Sequence, residues 1–316
     1  MIVLTSADIK KDIQEQLIDK YPEVEFRFRK DIKEAEEELP EAEILVTLGE
    51  DLTEEHIYQA EKLSWIMVIS AGMDEMPFQA IAEKNILVTN ARGIHAVPMA
   101  EYTIHMMLHS ARQTTVVQEQ ERRKEWDRSP VMMELHGKTI VIVGAGAIGS
   151  EIARLANAFH MKTIGINRSG RMVEPFDETA SIDNLYKELP KADFVVSVLP
   201  KMASTDRLFS TRTFSAMKKS AVFINIGRGN VVDEEAVLRS LNRGAFQHAI
   251  LDVFNKEPLP SDHPFWEHEK VTVTPHLSGI SPQYQPRAMG IFEENLRTYL
   301  SDEGEYINQV DPSKGY

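Results

Sequence analysis

The sequence of 316 residues contains no cysteine. Disulfides, thiolate catalysis and cysteine-ligated metal sites are therefore excluded, and the composition favours a cytoplasmic protein. Apolar runs approaching the ~18 residues of a membrane span are also missing. Met1–Leu4 lead directly into polar sequence and not into the apolar segment of a signal peptide. We therefore expect a cytoplasmic protein that does not contact a membrane.

Basic residues are also in the minority, with 35 Lys and Arg against 49 Asp and Glu, for a net charge of −14. The imbalance is concentrated in residues 1–60, which hold 17 acidic and 7 basic residues, whereas residues 101–282 hold 22 of each. An acidic surface repels nucleic acid and anionic membranes, so neither is expected as a partner. The neutral middle of the chain is where an anionic ligand is expected.

The chain length predicts two domains, and short apolar runs alternate with helical patterns in two successive sets. Such alternation predicts α/β domains built on parallel sheets. Long helices are predicted over 98–122 and 282–300, where the chain passes between the domains. Strands are predicted over 2–5, 24–28, 43–48, 65–70 and 86–89 in the first set, and over 139–143, 162–167, 194–199, 221–226, 249–254 and 271–274 in the second.

A glycine-rich turn follows the first strand of the second set. The apolar run Thr139–Val143 leads into Gly144-Ala145-Gly146-Ala147-Ile148-Gly149 and then into a helical pattern. This is G-x-G-x-x-G in a strand–turn–helix context, in which the glycines permit a tight turn, close approach of a pyrophosphate, and close packing of helix and strand. The free N–H groups at the helix N-terminus would bind the pyrophosphate. The turn predicts dinucleotide binding.

The next strand ends at Asn167, where dinucleotide-binding proteins commonly carry an acid that binds the adenosine ribose. Here the acid is missing, and Arg168, Ser169 and Arg171 follow. A 2′-phosphate needs cationic and hydroxyl donors and is repelled by a carboxylate. The pattern favours NADP(H), with a solvated basic turn in an NAD(H) protein as the alternative.

Three further segments, each at the end of a predicted strand, carry Arg228, Glu257 and His276. Ligands of parallel sheets bind beyond the carboxyl ends of the strands, so these side chains are expected to converge. Arg228 can clamp a carboxylate and polarise a carbonyl. His276 can donate a proton to a developing alkoxide, and Glu257 can orient the ring and stabilise the imidazolium. The set fits the reduction of a 2-oxo acid.

Together these motifs resemble the D-isomer-specific 2-hydroxyacid dehydrogenases over nearly the whole chain. Further matching segments are 70–74, 89–93 and 100–101, and Pro264-Phe265-Trp266 resembles the glyoxylate/hydroxypyruvate reductase branch, with a branch similar to phosphoglycerate dehydrogenase as the other possibility. The resemblance implies two Rossmann-like, doubly wound domains. In this arrangement a dinucleotide-binding domain (100–282) is inserted into a discontinuous, flavodoxin-like substrate domain (1–99 and 283–316).

The resemblance also implies roles for individual residues. Arg228, Glu257 and His276 would be catalytic. The backbone N–H groups of Ala71 and Gly72 would bind the substrate carboxylate, together with Arg228 and His276. Asp252 would hold the nicotinamide carboxamide. The full set expected to contact the cofactor is Gly144, Gly146, Ala147, Ile148, Gly149, Asn167, Arg168, Ser169, Pro200, Thr205, Ile226, Gly227, Arg228, Asp252, His276 and Gly279.

We therefore expect an oxidoreductase that transfers a hydride between NAD(P)H and a small 2-oxo acid or D-2-hydroxy acid, and the resemblance implies a homodimer. The alternative is a non-catalytic, NAD(H)-sensing protein similar to the corepressors built on the same fold. No metal is expected: His105 and His109 are spaced as a possible metal pair on one helix, but a packed helix is favoured because no third ligand is evident nearby.

Overall fold

The computed structural model describes residues 1–70, 73 and 75–312, which divide into two compact units. One unit comprises Met1–His95 and the segment from Ser281 onward, and the other comprises Ala96–Ile280. The strands are β1 (Ile2–Ser6), β2 (Glu25–Arg27), β3 (Ile44–Thr47), β4 (Trp65–Val68), β5 (Leu87–Asn90), β6 (Thr139–Val143), β7 (Lys162–Asn167), β8 (Glu178–Ser181), β9 (Phe194–Ser197), β10 (Val222–Asn225), β11 (His248–Leu251), β12 (Val271–Val273) and β13 (Gln309–Val310). The helices are α1 (Lys11–Lys20), α2 (Ile32–Ala35), α3 (Glu54–Gln59), α4 (Phe78–Glu83), α5 (Ala96–Ala111), α6 (Thr114–Arg123), α7 (Ala147–Ala158), α8 (Leu185–Glu188), α9 (Thr211–Ser215), α10 (Glu234–Asn242) and α11 (Tyr284–Ser301).

The first unit contains a sheet in the order β13-β5-β4-β3-β1-β2. Strands β1 to β5 are parallel in the flavodoxin-like order, and β13 pairs antiparallel with β5. Residues of β3 and β4 are buried on both faces because they are almost entirely apolar. Trp65 of β4 stacks on Phe292 of α11, which fixes the returning C-terminal helix against this sheet.

The second unit contains a parallel sheet in the order β12-β11-β10-β9-β6-β7-β8. The central strands β6, β9 and β10 are mostly apolar and are buried apart from Thr139, as expected for strands covered by helices on both faces. The strand order is that of a Rossmann fold, with its switch point between β6 and β9. The predicted α/β class with two Rossmann-like sheets is confirmed.

The structure differs from the sequence prediction in its helices and at two edge strands. The helix predicted over 98–122 is wrong: it is divided into α5 and α6 at Gln113, whose backbone is left-handed. The division separates α5, which buries eight residues, from α6, which buries none. Strands β8 and β13 were not predicted, because β8 lacks a fully buried residue and β13 has only two residues.

None of the helices in the described parts of the chain is both long enough and apolar enough to cross a membrane.

Candidate active site

The predicted site residues between 144 and 279 all follow strands of the second sheet at their carboxyl ends. This edge includes the switch point, the place where open α/β sheets bind ligands. The glycine-rich turn follows β6, Asn167–Ser169 lie at the end of β7, Pro200 and Thr205 follow β9, Ile226, Gly227 and Arg228 follow β10, Asp252 follows β11, and His276 and Gly279 follow β12.

The glycine-rich turn has the backbone geometry that a bound pyrophosphate needs. Gly144 adopts a φ of +115°, and a Cβ at Gly149 would lie 2.1 Å from the Gly144 carbonyl oxygen, so neither position tolerates a side chain. A Cβ at Gly146 would meet no atom within 4 Å. Gly146 directly precedes α7 and provides no side-chain cap for its N-terminus. The first-turn N–H groups, including those of Ala147 and Ile148, therefore remain available to an anion, and the turn fits a dinucleotide.

Asn167 organises the turn that carries the predicted 2′-phosphate donors. Its Oδ1 accepts hydrogen bonds from the backbone N–H groups of Gly170 (2.6 Å) and Ser169 (3.1 Å), and its Nδ2 donates to the Arg171 carbonyl oxygen (2.7 Å). An aspartate could not make the last bond because it has no N–H group. Arg168 is exposed on this turn and makes no hydrogen bond or ion pair to residues 1–70, 73 or 75–312.

Thr205 stabilises the loop that follows β9. Its hydroxyl donates to the Pro200 carbonyl oxygen (2.8 Å) and accepts from the Met202 N–H (3.0 Å). The structure therefore gives Thr205 a role in holding the loop, beside the cofactor contact that its motif implies. Pro200 is exposed at the start of the same loop.

His276 and Glu257 form a hydrogen-bonded pair. Nδ1 of His276 lies 2.7 Å from Oε2 of Glu257, whose Oε1 accepts the backbone N–H of Phe254 at 2.9 Å. An ionised carboxylate only accepts hydrogen bonds, so Nδ1 carries the proton shared with it. The Nε2 atom has no hydrogen-bond partner within the described ranges, and the His276 side chain is about half exposed. Nε2 is therefore the ring nitrogen placed to deliver a proton.

Arg228 is held at the end of β10 by its neighbours in the chain. The buried Asn225 side chain donates to the Arg228 carbonyl oxygen (3.1 Å) and accepts the Gly227 N–H (3.3 Å). A Cβ at Gly229 would lie 1.9 Å from the carbonyl carbon of Phe254, so the segment between the glycines passes directly beside the chain that leads to Glu257. No role was predicted for Asn225, although a polar residue at the end of an apolar strand was a usable signal.

Asp252 is fully buried, and its carboxylate accepts hydrogen bonds from the loop that carries His276. The donors are the Thr274 hydroxyl (2.6 Å) and the backbone N–H groups of Leu277 (3.0 Å) and Ser278 (2.9 Å). The structure thus gives Asp252 partners in the protein where the resemblance implies the nicotinamide carboxamide. Ala71 and Gly72, the predicted substrate-binding residues, lie outside the described residues.

The two histidines weighed as a metal pair lie on α5 with ring centroids 6.0 Å apart. His109 also makes a hydrogen bond of 2.8 Å with the Thr115 hydroxyl. Burial lowers the pKa of His109, and the nearby His105 adds to this effect. In the described part of the chain, no group of three His, Cys, Asp or Glu residues is arranged to hold a metal ion.

The Rossmann strand order and the glycine-rich turn at its switch point define the class of dinucleotide-binding α/β proteins. Within that class, the profile described as "D-isomer specific 2-hydroxyacid dehydrogenase, NAD binding domain" matches residues 104–278. The match covers more than half of the chain, and the protein belongs to the D-isomer-specific 2-hydroxyacid dehydrogenase family.

Similar proteins of known sequence include glyoxylate reductases and D-3-phosphoglycerate dehydrogenases. The chain is 32% identical over 265 residues to a glyoxylate reductase of Aeropyrum pernix, covering 81% of this chain and 79% of that protein. It is 31% identical over 291 residues to a D-3-phosphoglycerate dehydrogenase of Methanocaldococcus jannaschii, covering 91% of this chain but only 55% of that protein. The chain thus spans about half the length of that phosphoglycerate dehydrogenase.

Solved structures agree with the fold. A D-isomer-specific 2-hydroxyacid dehydrogenase family protein from Aeromonas salmonicida superposes with a TM-score of 0.88 at 31% identity, covering 98% of this chain and 99% of that one. An NADPH-dependent glyoxylate/hydroxypyruvate reductase from Sinorhizobium meliloti, solved with NADP and sulfate, superposes with a TM-score of 0.82 at 26% identity, covering 100% and 99%.

Proposed function

We propose that the protein is an NADP(H)-preferring reductase of small 2-oxo acids, acting on the glyoxylate and hydroxypyruvate type of substrate. The observation that carries the proposal is the Glu257–His276 pair, which lies at the same sheet edge as Arg228 and the glycine-rich turn. An acid–base pair, a cation for a carboxylate and a dinucleotide cradle are the parts that this reduction needs.

Each polar side chain has a distinct role in this proposal. Arg228 binds the substrate carboxylate through its planar guanidinium and polarises the carbonyl. His276 delivers a proton from Nε2 to the carbonyl oxygen, while Glu257 holds Nδ1 and stabilises the charged ring. For Ala71 and Gly72, which lie outside the described residues, the resemblance implies backbone N–H groups that would bind the same carboxylate. When bound, the nicotinamide supplies the hydride.

The proposed preference for NADP(H) rests on the turn after β7. Arg168 and Ser169 are both exposed there, and Asn167 fixes the turn that presents them without adding a negative charge. The reductase from Sinorhizobium meliloti is NADPH-dependent and was solved with NADP, which supports the same choice here. Binding of NAD(H) with lower affinity is compatible with the same turn.

The roles of the domains follow from the two sheets. We assign binding of the dinucleotide to residues 100–282, and binding of the substrate to residues 1–99 with 283–316. The family's NAD-binding profile supports this assignment because it lies within the range 100–282. Expressing each range as a separate fragment and measuring its affinity for NADPH tests the assignment. Only the 100–282 fragment is expected to bind NADPH. A cytoplasmic location remains a prediction that cell fractionation would test.

We also propose that the protein is a homodimer. The segment between α5 and β6 exposes apolar side chains that a second copy of this chain would cover, including Trp126 at 95% and Val131 at 88% exposure, with Val116, Val117 and Met132 also exposed. Light scattering during size-exclusion chromatography tests this proposal. A dimer in the parent protein and a shift toward monomer in Trp126→Ser are expected, and a monomeric parent would contradict it.

A panel of 2-oxo acids tests the proposed activity. Glyoxylate, hydroxypyruvate and longer 2-oxo acids are each mixed with NADPH and with NADH, and kcat/KM is measured for every pair. We expect NADPH-dependent turnover of the smallest acids. The alternative, a non-catalytic protein that senses NAD(H), predicts cofactor binding without turnover of any acid in the panel.

A further inference from the structure

A buried tyrosine of α5 is connected by hydrogen bonds to the loop that carries His276. The Tyr102 side chain is only 9% exposed, and its hydroxyl oxygen lies 2.6 Å from Oγ1 of Thr274. Tyr102 lies 172 residues before Thr274, so the sequence offered no reason to connect them. Neither residue has a part in the activity proposed above.

Tyr102, Thr274 and Asp252 are joined by two consecutive hydrogen bonds, and the Asp252 carboxylate determines which atom donates in each. The Thr274 hydroxyl lies 2.6 Å from Oδ1 of Asp252, and an ionised carboxylate can only accept. Thr274 therefore donates to Asp252, and its oxygen accepts the hydrogen of Tyr102. Burial raises the pKa of Tyr102 and outweighs the opposing effect of the Thr274 hydrogen bond, and the nearby Asp252 charge adds to the rise. The phenol therefore keeps its proton and remains a donor.

Asp252 accepts hydrogen bonds from the backbone around His276. Its side chain accepts the N–H groups of Leu277 and Ser278, and its carbonyl oxygen accepts the N–H of His276 at 2.8 Å. His276 has a φ of +51°, a left-handed conformation that a non-glycine residue holds only when its surroundings stabilise it. The conformation coincides with the 2.7 Å contact between the His276 ring and Glu257.

We propose that Tyr102 and Thr274 are positioning residues for the proton donor. Their hydroxyl groups fix the orientation of the Asp252 carboxylate, which holds the backbone after His276 and keeps the ring in contact with Glu257. The proposal rests on the proposed function for its kinetic effect, because a proton donor matters only if the protein reduces a 2-oxo acid. Its structural part, the fixed ring of His276, does not depend on the substrate.

Two variants interrupt the connection with little change of shape, and a third preserves it. Tyr102→Phe and Thr274→Val each remove a hydroxyl, and Thr274→Ser retains it. We expect Tyr102→Phe to lower kcat about 3- to 10-fold, the effect of one hydrogen bond lost from the positioning of a reacting group, with the substrate KM nearly unchanged. Thr274→Val should lower kcat at least as much, because it loses the hydrogen bonds to both Tyr102 and Asp252. Thr274→Ser should retain near-parental kcat. The double variant should be no slower than the slower single variant, because both changes break one connection.

Thr103→Val is the matched control. Thr103 is the neighbour of Tyr102 on α5, is fully buried, and donates its hydroxyl hydrogen bond to the Met99 carbonyl oxygen (2.7 Å), away from the His276 loop. It should lower the melting temperature as the test variants do, but leave kcat unchanged. Equal kcat in the parent, Tyr102→Phe and Thr274→Val would overturn the proposal, as would a control that loses as much kcat as they do.

A substrate-free measurement separates this proposal from the proposed function. Proton–nitrogen NMR of the histidine rings is expected to show a protected Nδ1 proton on His276 in the parent and in Thr103→Val, and faster exchange of that proton in Tyr102→Phe. Loss of protection with no turnover by the parent would support the positioning role while contradicting the 2-oxo acid reductase. Unchanged protection in Tyr102→Phe would overturn the positioning role, whatever the parent reduces.

Discussion

Glu257 contacts His276 through one carboxylate oxygen and the backbone of Phe254 through the other. Oε2 lies 2.7 Å from Nδ1 of His276, and Oε1 lies 2.9 Å from the Phe254 nitrogen. Both contacts require an acceptor, so the carboxylate is bound at two points and cannot rotate without losing one of them. The ring of His276 is thereby oriented by a group whose own orientation is fixed by the backbone.

The first prediction concerns this two-point contact. The amide of Glu257→Gln has one oxygen that accepts hydrogen bonds and one NH₂ group that only donates. The NH₂ group would therefore face a second donor, either Nδ1–H of His276 or the Phe254 N–H. We expect kcat for 2-oxo acid reduction to fall about 10- to 150-fold, the equivalent of one charge-assisted hydrogen bond. Glu234→Gln, which changes a carboxylate bound to the Asn255 N–H, is the control and should keep parental kcat. Equal kcat in both variants would remove Glu257 from the mechanism.

The second prediction concerns Arg228. Lysine keeps the charge but loses the planar, two-pronged geometry that matches a carboxylate. Arg228→Lys should raise KM for the oxo acid about tenfold or more and also lower kcat, because the same group polarises the carbonyl. The control is Arg212→Lys, where the guanidinium stacks on the Tyr186 ring. Parental kinetics in Arg228→Lys would place the substrate carboxylate elsewhere.

The third prediction concerns the cofactor. A charge-assisted hydrogen bond contributes about 1.5–3 kcal/mol, so NADPH should exceed NADH in kcat/KM by about 10- to 150-fold. Arg168→Ala should weaken NADPH far more than NADH, and added salt should reduce the parental preference because the contact is exposed.

Asn167→Asp provides a second test of the same turn. The change removes the hydrogen bond from Nδ2 to the Arg171 carbonyl oxygen and adds a charge that repels a 2′-phosphate. We expect the preference to move toward NADH, measured as the ratio of the two kcat/KM values. Equal or better efficiency with NADH in the parent protein would refute the NADP(H) preference and leave the dehydrogenase family assignment unchanged.

The fourth prediction concerns stability and pH. Burial lowers the pKa of His248 from 6.5 to about 4, and the nearby His109 and His268 add to the shift. The unfolded chain therefore binds a proton that the folded protein does not, and stability falls as the pH falls from about 6.5 to about 4. Urea unfolding should show roughly 1–2 kcal/mol lost from this group between pH 7 and pH 5. His248→Gln, which keeps a polar partner for Thr272, should show a correspondingly smaller loss. The same pH slope in both proteins would contradict the assignment.

Much of the fold was predictable because its signals are local. The runs 139–143 and 162–167 coincide with β6 and β7 at both ends, since each is rich in β-branched residues and is followed by turn residues. The division of the 98–122 helix at Gln113 was not predictable, because residues 112–115 include no glycine or proline to mark the end of a helix. Strand β13 is defined by pairing with β5 and not by its own two residues.

The site was predictable only to the extent that single motifs report it. Arg228, Glu257 and His276 were identified as chemically suitable side chains at strand ends, and the structure brings Glu257 and His276 into contact. The partners of Asp252 were not predictable, because they depend on the fold of the loop after β12. The contact of Tyr102 with Thr274 joins a helix to a distant strand end and leaves no periodic or compositional signal.

The measurement that tests the central claim most directly compares the parent protein with His276→Ala in NADPH-dependent reduction of glyoxylate, with the NADPH Kd measured for both. His136→Ala, which changes an exposed histidine far along the chain from the pair, is the control. If Nε2 of His276 delivers the proton, the parent turns over and kcat in His276→Ala falls about 10²- to 10⁴-fold, while the NADPH Kd and the His136→Ala kinetics remain parental. Near-parental kcat in His276→Ala would contradict the account.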